Sequence, residues 1–131
     1  MDKPFRHLRD TEWQALLARA TRKLIAADEV ILREGALPEG MVIVCRGQVK
    51  ACRDHGDFRI ELTEHGPGEI FGEMSFLDSE PATVSVVAAT EVEILFIGRV
   101  DVQAMVRENP GFFGRFFQSI AWICFSGPTR L

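Results

Sequence analysis

Apolar and polar positions along the chain follow three rhythms in turn. Near the start, Trp13, Leu16, Leu17 and Ala20 recur at i, i+3, i+4 and i+7, the spacing of one helical face. Thr11-Glu12-Trp13-Gln14 has the form of a capping box, so a helix is predicted over about 11–20. Phe5 and Leu8 are expected to tuck against the same core. From Lys23 onward the pattern becomes extended, with short apolar runs at Leu24-Ile25, Val30-Ile31-Leu32 and Met41 to Cys45. Gln48 to Cys52 alternates, Asp54-His55-Gly56-Asp57 signals a hairpin, and Phe58, Ile60 and Leu62 alternate after it. Strands this short, separated by turn residues, predict a double-stranded β-roll (jelly roll) over about 22–98.

The third rhythm is helical again. Glu91 to Ile97 closes the roll as a strand, and Val102, Met105 and Val106 then share one helical face. Asn109-Pro110 reads as N-cap and first helical residue of a last helix, stopped by Ser126-Gly127-Pro128. That helix carries Phe112, Phe113, Phe116, Phe117, Ile120, Ala121, Ile123, Cys124 and Phe125, which cover more than one face. The fold class is therefore mainly β with flanking helices, in a single domain spanning 1–131 with C-terminal helices over about 99–125.

The stretch from Gly66 to Ala88 carries the candidate chemistry. A Gly-Pro-Gly turn leads to an extended Glu69 to Phe71, then Gly72-Glu73, then one helical turn at Met74-Ser75-Phe76-Leu77. Asp78-Ser79-Glu80-Pro81 breaks that turn, and Thr83 to Ala88 resumes a strand. Such a sequence can form a small anion cradle, with Gly72 permitting close backbone approach and free N–H groups of the short helix facing the ligand. Glu73, at the mouth of the turn, is placed to accept hydrogen bonds from vicinal hydroxyls.

Composition narrows the classes of function. The formal net charge is −4 and no run of Lys or Arg exceeds two, which argues against a nucleic-acid partner. No apolar segment approaches the ~18 residues of a membrane span. MDKPFRHLRD holds no apolar core for a signal peptide. Cys45, Cys52 and Cys124 have no metal-ligand spacing and read as reduced thiols of a cytoplasmic protein. His7, His55 and His65 include no His-x-His pair, so the metal chemistry of enzymes built on similar rolls is not expected. With no local nucleophile signature either, the chain does not read as an enzyme.

The segment FGEMSFL, followed by a proline and by VA, resembles the phosphate-binding cassette of the cyclic-nucleotide-binding domain family. That family includes catabolite-activator-type transcription factors, regulatory subunits of cAMP-dependent kinase and cyclic-nucleotide-gated channels. The resemblance extends to EVILREG, MVIVCRGQVKA, HGPGEIFGE and EVEILFI, and covers roughly residues 5 to 125. It implies a β-roll in which Glu73 receives a ribose 2′-hydroxyl and Gly72, Met74 and Ser75 offer donors to the phosphate, flanked by Thr83. The family's binders carry an arginine directly after the proline, paired with the cyclic phosphate. Aligned without gaps that position is Ala82, and with a two-residue gap it is Glu80. Neither is a cation; no Lys lies between Glu73 and Arg99, the next arginine.

Two roles follow as expectations. One is a regulatory or sensor domain that binds cAMP or cGMP, or another small ligand, weakly or not at all. The other is a ligand-independent interaction module that dimerises through the Phe112–Phe125 helix. Only four residues follow Gly127, too few for a helix-turn-helix domain, so the expected protein is a lone sensor or adaptor, or a piece whose effector lies outside it.

Overall fold

Met41, Val42, Ile43 and Val44 form an unbroken apolar run, the signature of a strand covered on both faces. A computed structural model, whose described residues are 4–126 without the side chains of Leu77 and 124–126, bears this out. The run lies in β3 (Gly40–Arg46). Met41 and Ile43 pack into a core shared with the helices, while Val42 and Val44 pack into a second core facing the other sheet. Strand β8 (Val92–Gly98) splits the same way, with Leu95 and Ile97 on the helical side and Val92 and Ile94 on the sheet side.

The layers are thus helices, sheet, sheet. The first sheet has the order β1-β8-β3-β6 and the second β2-β7-β4-β5. Their other strands are β1 (Thr21–Ile25), β2 (Val30–Leu32), β4 (Val49–His55), β5 (Phe58–His65), β6 (Ile70–Phe71) and β7 (Ser85–Ala88). Every pairing is antiparallel, as in the roll that the residue pattern predicts. The helices are α1 (Asp10–Arg19), the short α2 (Ser75–Asp78), α3 (Arg99–Glu108) and α4 (Pro110–Ser126).

The first helix starts earlier than its capping signal suggests. Its N-cap is Arg9, not Thr11. The reason is Glu12, whose carboxylate accepts the Arg9 N–H at 2.9 Å and turns inward to meet Arg115 of α4. Arg115 Nη2 donates to Glu12 Oε2 at 2.6 Å and Asn109 Nδ2 donates to the same oxygen at 3.0 Å. Glu12 is only 5% exposed, so this cluster is a buried, satisfied carboxylate that ties both ends of the chain together. Beside it Ser119 Oγ accepts the His7 N–H at 3.0 Å.

Helix α4 buries Phe112, Phe116, Ile120 and Ile123 and leaves Phe113, Phe117 and Trp122 at 52%, 46% and 38% exposure. Its apolar surface exceeds what its own domain covers, as its residue pattern implies. Cys124 and Phe125, counted in that pattern, lie outside the described side chains, and Gly127-Pro128 outside the described residues.

The Arg115 guanidinium holds the Glu12 carboxyl at about 2, against an ordinary 4.5, and the Arg9 N–H adds to the effect while burial opposes it. Because the folded value is depressed, the stabilisation is complete above 4.5 and is lost as pH falls towards 2. Glu12→Gln is expected to cost about 2–3 kcal/mol at neutral pH, and that cost should fade across this window. Urea unfolding of both proteins from acid to neutral pH checks it; a cost independent of pH would contradict the assignment.

Candidate functional site

The close approach that Gly72 was expected to permit is present. It sits at φ +84°, and a Cβ there would lie 2.7 Å from the Gly40 carbonyl oxygen, so only glycine fits between β3 and the turn that follows β6. After it the backbone makes the single helical turn α2, which ends at Ser79 in a left-handed conformation, φ 56°. The Asp78 carboxylate accepts the Glu80 N–H at 2.9 Å and shapes the exit.

From there the chain returns along the loop that joins β2 to β3. Ala82 N donates to Ala36 O at 2.9 Å and Ala82 O accepts the Gly35 N–H at 2.8 Å. These two bonds delay the strand: β7 begins at Ser85, whereas the β-branched run predicts extended pairing from Thr83.

Turn, exit loop and β7 enclose a cavity of about 440 Å³. Gly72, Glu73, Met74, Ser75, Ala82 and Thr83, the cassette positions, all line it. Leu32, Phe71, Val84 and Val86 supply apolar wall, and Asp78 and Glu80 complete its charged groups. Glu73 is 4% exposed, while Asp78 and Glu80 reach solvent.

The donors are less free than the sequence suggests. Ser75 N and Phe76 N are bonded to the Gly72 and Glu73 carbonyls at 3.3 and 3.2 Å. The Ser75 hydroxyl donates to Gly72 O at 2.7 Å and is buried. In a helix of one turn, these groups close the turn on itself rather than facing outward.

Charge is the other departure from an anion cradle. Among the described residues, every ionisable one on the cavity wall is acidic: Glu73, Asp78 and Glu80. Arg99 is near but serves elsewhere, donating from Nη2 to the Ser75 carbonyl and lying 5.3 Å over the Phe76 ring. Arg53 is engaged with Glu34 at 3.6 Å.

The signal of Phe76 and Arg99 as partners was not readable in the chain, since they lie apart in sequence. Phe76 also meets Phe116 of α4 edge-on at 5.8 Å between ring centres. The cavity's short helix is therefore gripped by α3 and α4 at once. Ser85 was likewise unanticipated: fully buried, its Oγ accepts the Glu34 N–H at 2.9 Å and donates to Asp54 at 3.2 Å, fastening β7 behind the cavity. His65, a candidate ligand on paper, instead shares a 2.7 Å hydrogen bond with Thr63 Oγ1 and packs against Phe71.

A sequence profile described as "Cyclic nucleotide-binding domain" matches residues 22–109. The chain is 35% identical over 107 residues to the cyclic AMP receptor protein of Thermus thermophilus, covering 81% of this chain and 50% of that one. It is 34% identical over 95 residues to a cyclic nucleotide-gated potassium channel of Rhizobium etli, covering 72% and 25%. The chain thus spans half or less of these relatives' length. Among solved structures, the N-terminal domain of a transcriptional regulator from Streptomyces coelicolor superposes with TM-score 0.80 at 29% identity, covering 91% of this chain and 86% of that one.

Proposed function

The chain belongs to the cyclic nucleotide-binding domain family, and from that premise we propose that it is a regulatory sensor domain that binds cAMP or cGMP weakly or not at all. One observation carries this reading. The cassette residues line a cavity of suitable size, yet among the described residues its only ionisable lining is Glu73, Asp78 and Glu80. An anion entering there meets three carboxylates and, among the described residues of the lining, no cation. Loss of a charge-assisted pair to phosphate amounts to about 1.5–3 kcal/mol, or roughly 10- to 150-fold in affinity. Nearby carboxylates lower the affinity further by repulsion.

In this reading Glu73 accepts the ribose hydroxyls, and Gly72 and Met74 offer backbone donors. Ser75 joins them only if its hydroxyl leaves Gly72 O. Thr83 flanks the ligand and Ala82 stands where the phosphate's arginine would be. The route to an output runs through α2, because a ligand that shifts it pulls on Arg99 and on the Phe76–Phe116 contact. The proposed setting is the cytoplasm, in keeping with free thiols at Cys45 and Cys52. No helix among the described residues is long and apolar enough to cross a membrane. The net charge of −4 favours a small ligand or a protein partner over nucleic acid, and no catalytic step is assigned.

A second reading rests on its own observation, the exposed Phe113, Phe117 and Trp122 of α4. Here the domain acts as an interaction module that pairs with a second copy through that helix. Light scattering at tens of micromolar is expected to show self-association, and Phe113→Glu combined with Phe117→Glu should weaken it. A monomeric wild type would remove this reading.

For the sensor, calorimetric titration should give cAMP and cGMP dissociation constants no tighter than about tens of micromolar. Ala82→Arg starts from a backbone fixed at both its N–H and its carbonyl, and should tighten cAMP binding about 10-fold or more. Glu80→Gln should gain little, Glu80→Arg less than Ala82→Arg, and adding Glu73→Ala should cancel the gain. Submicromolar binding by the wild type, or no gain from a folded Ala82→Arg, would contradict the proposal.

A further inference from the structure

Among the described residues, strand β5 is the outer strand of the second sheet, paired with β4 on one side only. Natural edges are usually short or guarded, because their free N–H and C=O groups invite a further strand. This one runs from Phe58 to His65 and exposes Phe58, Ile60 and Leu62 at 61%, 44% and 42%. It is reached through a two-residue turn, Gly56-Asp57, with Gly56 at φ 63° and His55 opposite Phe58.

That turn fixes which backbone groups are free. His55 and Phe58 form the hydrogen-bonded pair that closes a two-residue hairpin. By the alternation of an antiparallel ladder, Ile60 also faces β4, and the N–H and C=O of Arg59 and Glu61 face outward. The pairing is regular from His55/Phe58 to Cys52/Glu61, and its one shift lies beyond, between Ala51 and Cys52.

The residues around those outward groups are self-complementary. Phe58-Arg59-Ile60-Glu61-Leu62 reads apolar, positive, apolar, negative, apolar about Ile60. When two copies of this edge run antiparallel with Ile60 opposite Ile60, Arg59 of each stands opposite Glu61 of the other. Phe58 then faces Leu62, and the outward groups of positions 59 and 61 hydrogen-bond each other. Sliding the register so that position 59 faces itself sets arginine against arginine, and centring it on 61 sets glutamate against glutamate. Charge thus favours the register centred on Ile60 over either of these.

In the single chain Arg59 pairs with Asp54 at 3.0 Å and Glu61 with Lys50 at 3.3 Å. All four side chains are 38–48% exposed, so they can serve a partner strand as well. We infer that β5 is a docking edge for a second copy of this chain, joining two sheets into one continuous sheet across a twofold axis at Ile60. The contact is small, so the dimer it makes is a weak one.

Sedimentation velocity of the intact chain tests this with two charge variants. Arg59→Glu leaves both facing positions acidic and Glu61→Arg leaves both basic, so each should weaken self-association about tenfold or more. An equimolar mixture restores opposite charges in both pairs and should recover association to within about threefold of wild type. Thermal unfolding confirms that each variant is folded. Glu61→Pro, which removes one outward N–H at an edge position that tolerates proline, should abolish the contact and stands in if a charge variant does not fold. Association that ignores all three variants belongs to another surface such as α4 and overturns the proposal. So does a mixture that stays monomeric, or a wild type that is monomeric at hundreds of micromolar.

Discussion

Strand β3 is covered by helices on one side and by the second sheet on the other, so each residue from Met41 to Val44 packs into one of two cores. That double burial leaves little freedom to what adjoins it. At its start, Gly40 presents a carbonyl to Gly72 at a distance no side chain could share. The turn after Gly72 is thereby pressed against the first sheet, and the short helix it begins is held by Arg99 and Phe116 from the layer above. The cavity is what remains between this fixed turn and β7.

Much of this was legible in the chain because it depends on local rules. Alternation and turn residues mark the strands, and the wide apolar surface of α4 is visible in the spacing of its phenylalanines. The cassette positions were found as a contiguous stretch, and the structure gathers them around one cavity. What could not be read depends on contacts between distant residues. Glu12 and Arg115 are 103 positions apart, and their pairing moves the start of α1 from its local capping signal. Ala82 is drawn to residues 35 and 36 by two backbone bonds, which shorten β7. Ser75 looked like a free donor until the one-turn helix consumed its hydroxyl.

The family fold is present here. Among the described residues, the ionisable lining of its cavity is acidic. Packing and charge are separable because different residues carry them. Gly40, Gly72 and Ser85 fix the geometry, whereas Glu80 and Ala82 sit on an exit loop where neither side chain makes a hydrogen bond among the described residues. Arg99 and Phe76 lie outside the cavity lining and hold the short helix from behind.

The central claim is that a cyclic phosphate gains nothing from this pocket. Side-by-side calorimetric titrations with cAMP and with adenosine, up to millimolar ligand, measure that contribution directly. The account predicts that adenosine binds at least as well as cAMP, because the only charged side chains the phosphate meets among the described residues are carboxylates. A preference for cAMP of about tenfold or more, the mark of a charge-assisted phosphate contact, would contradict it.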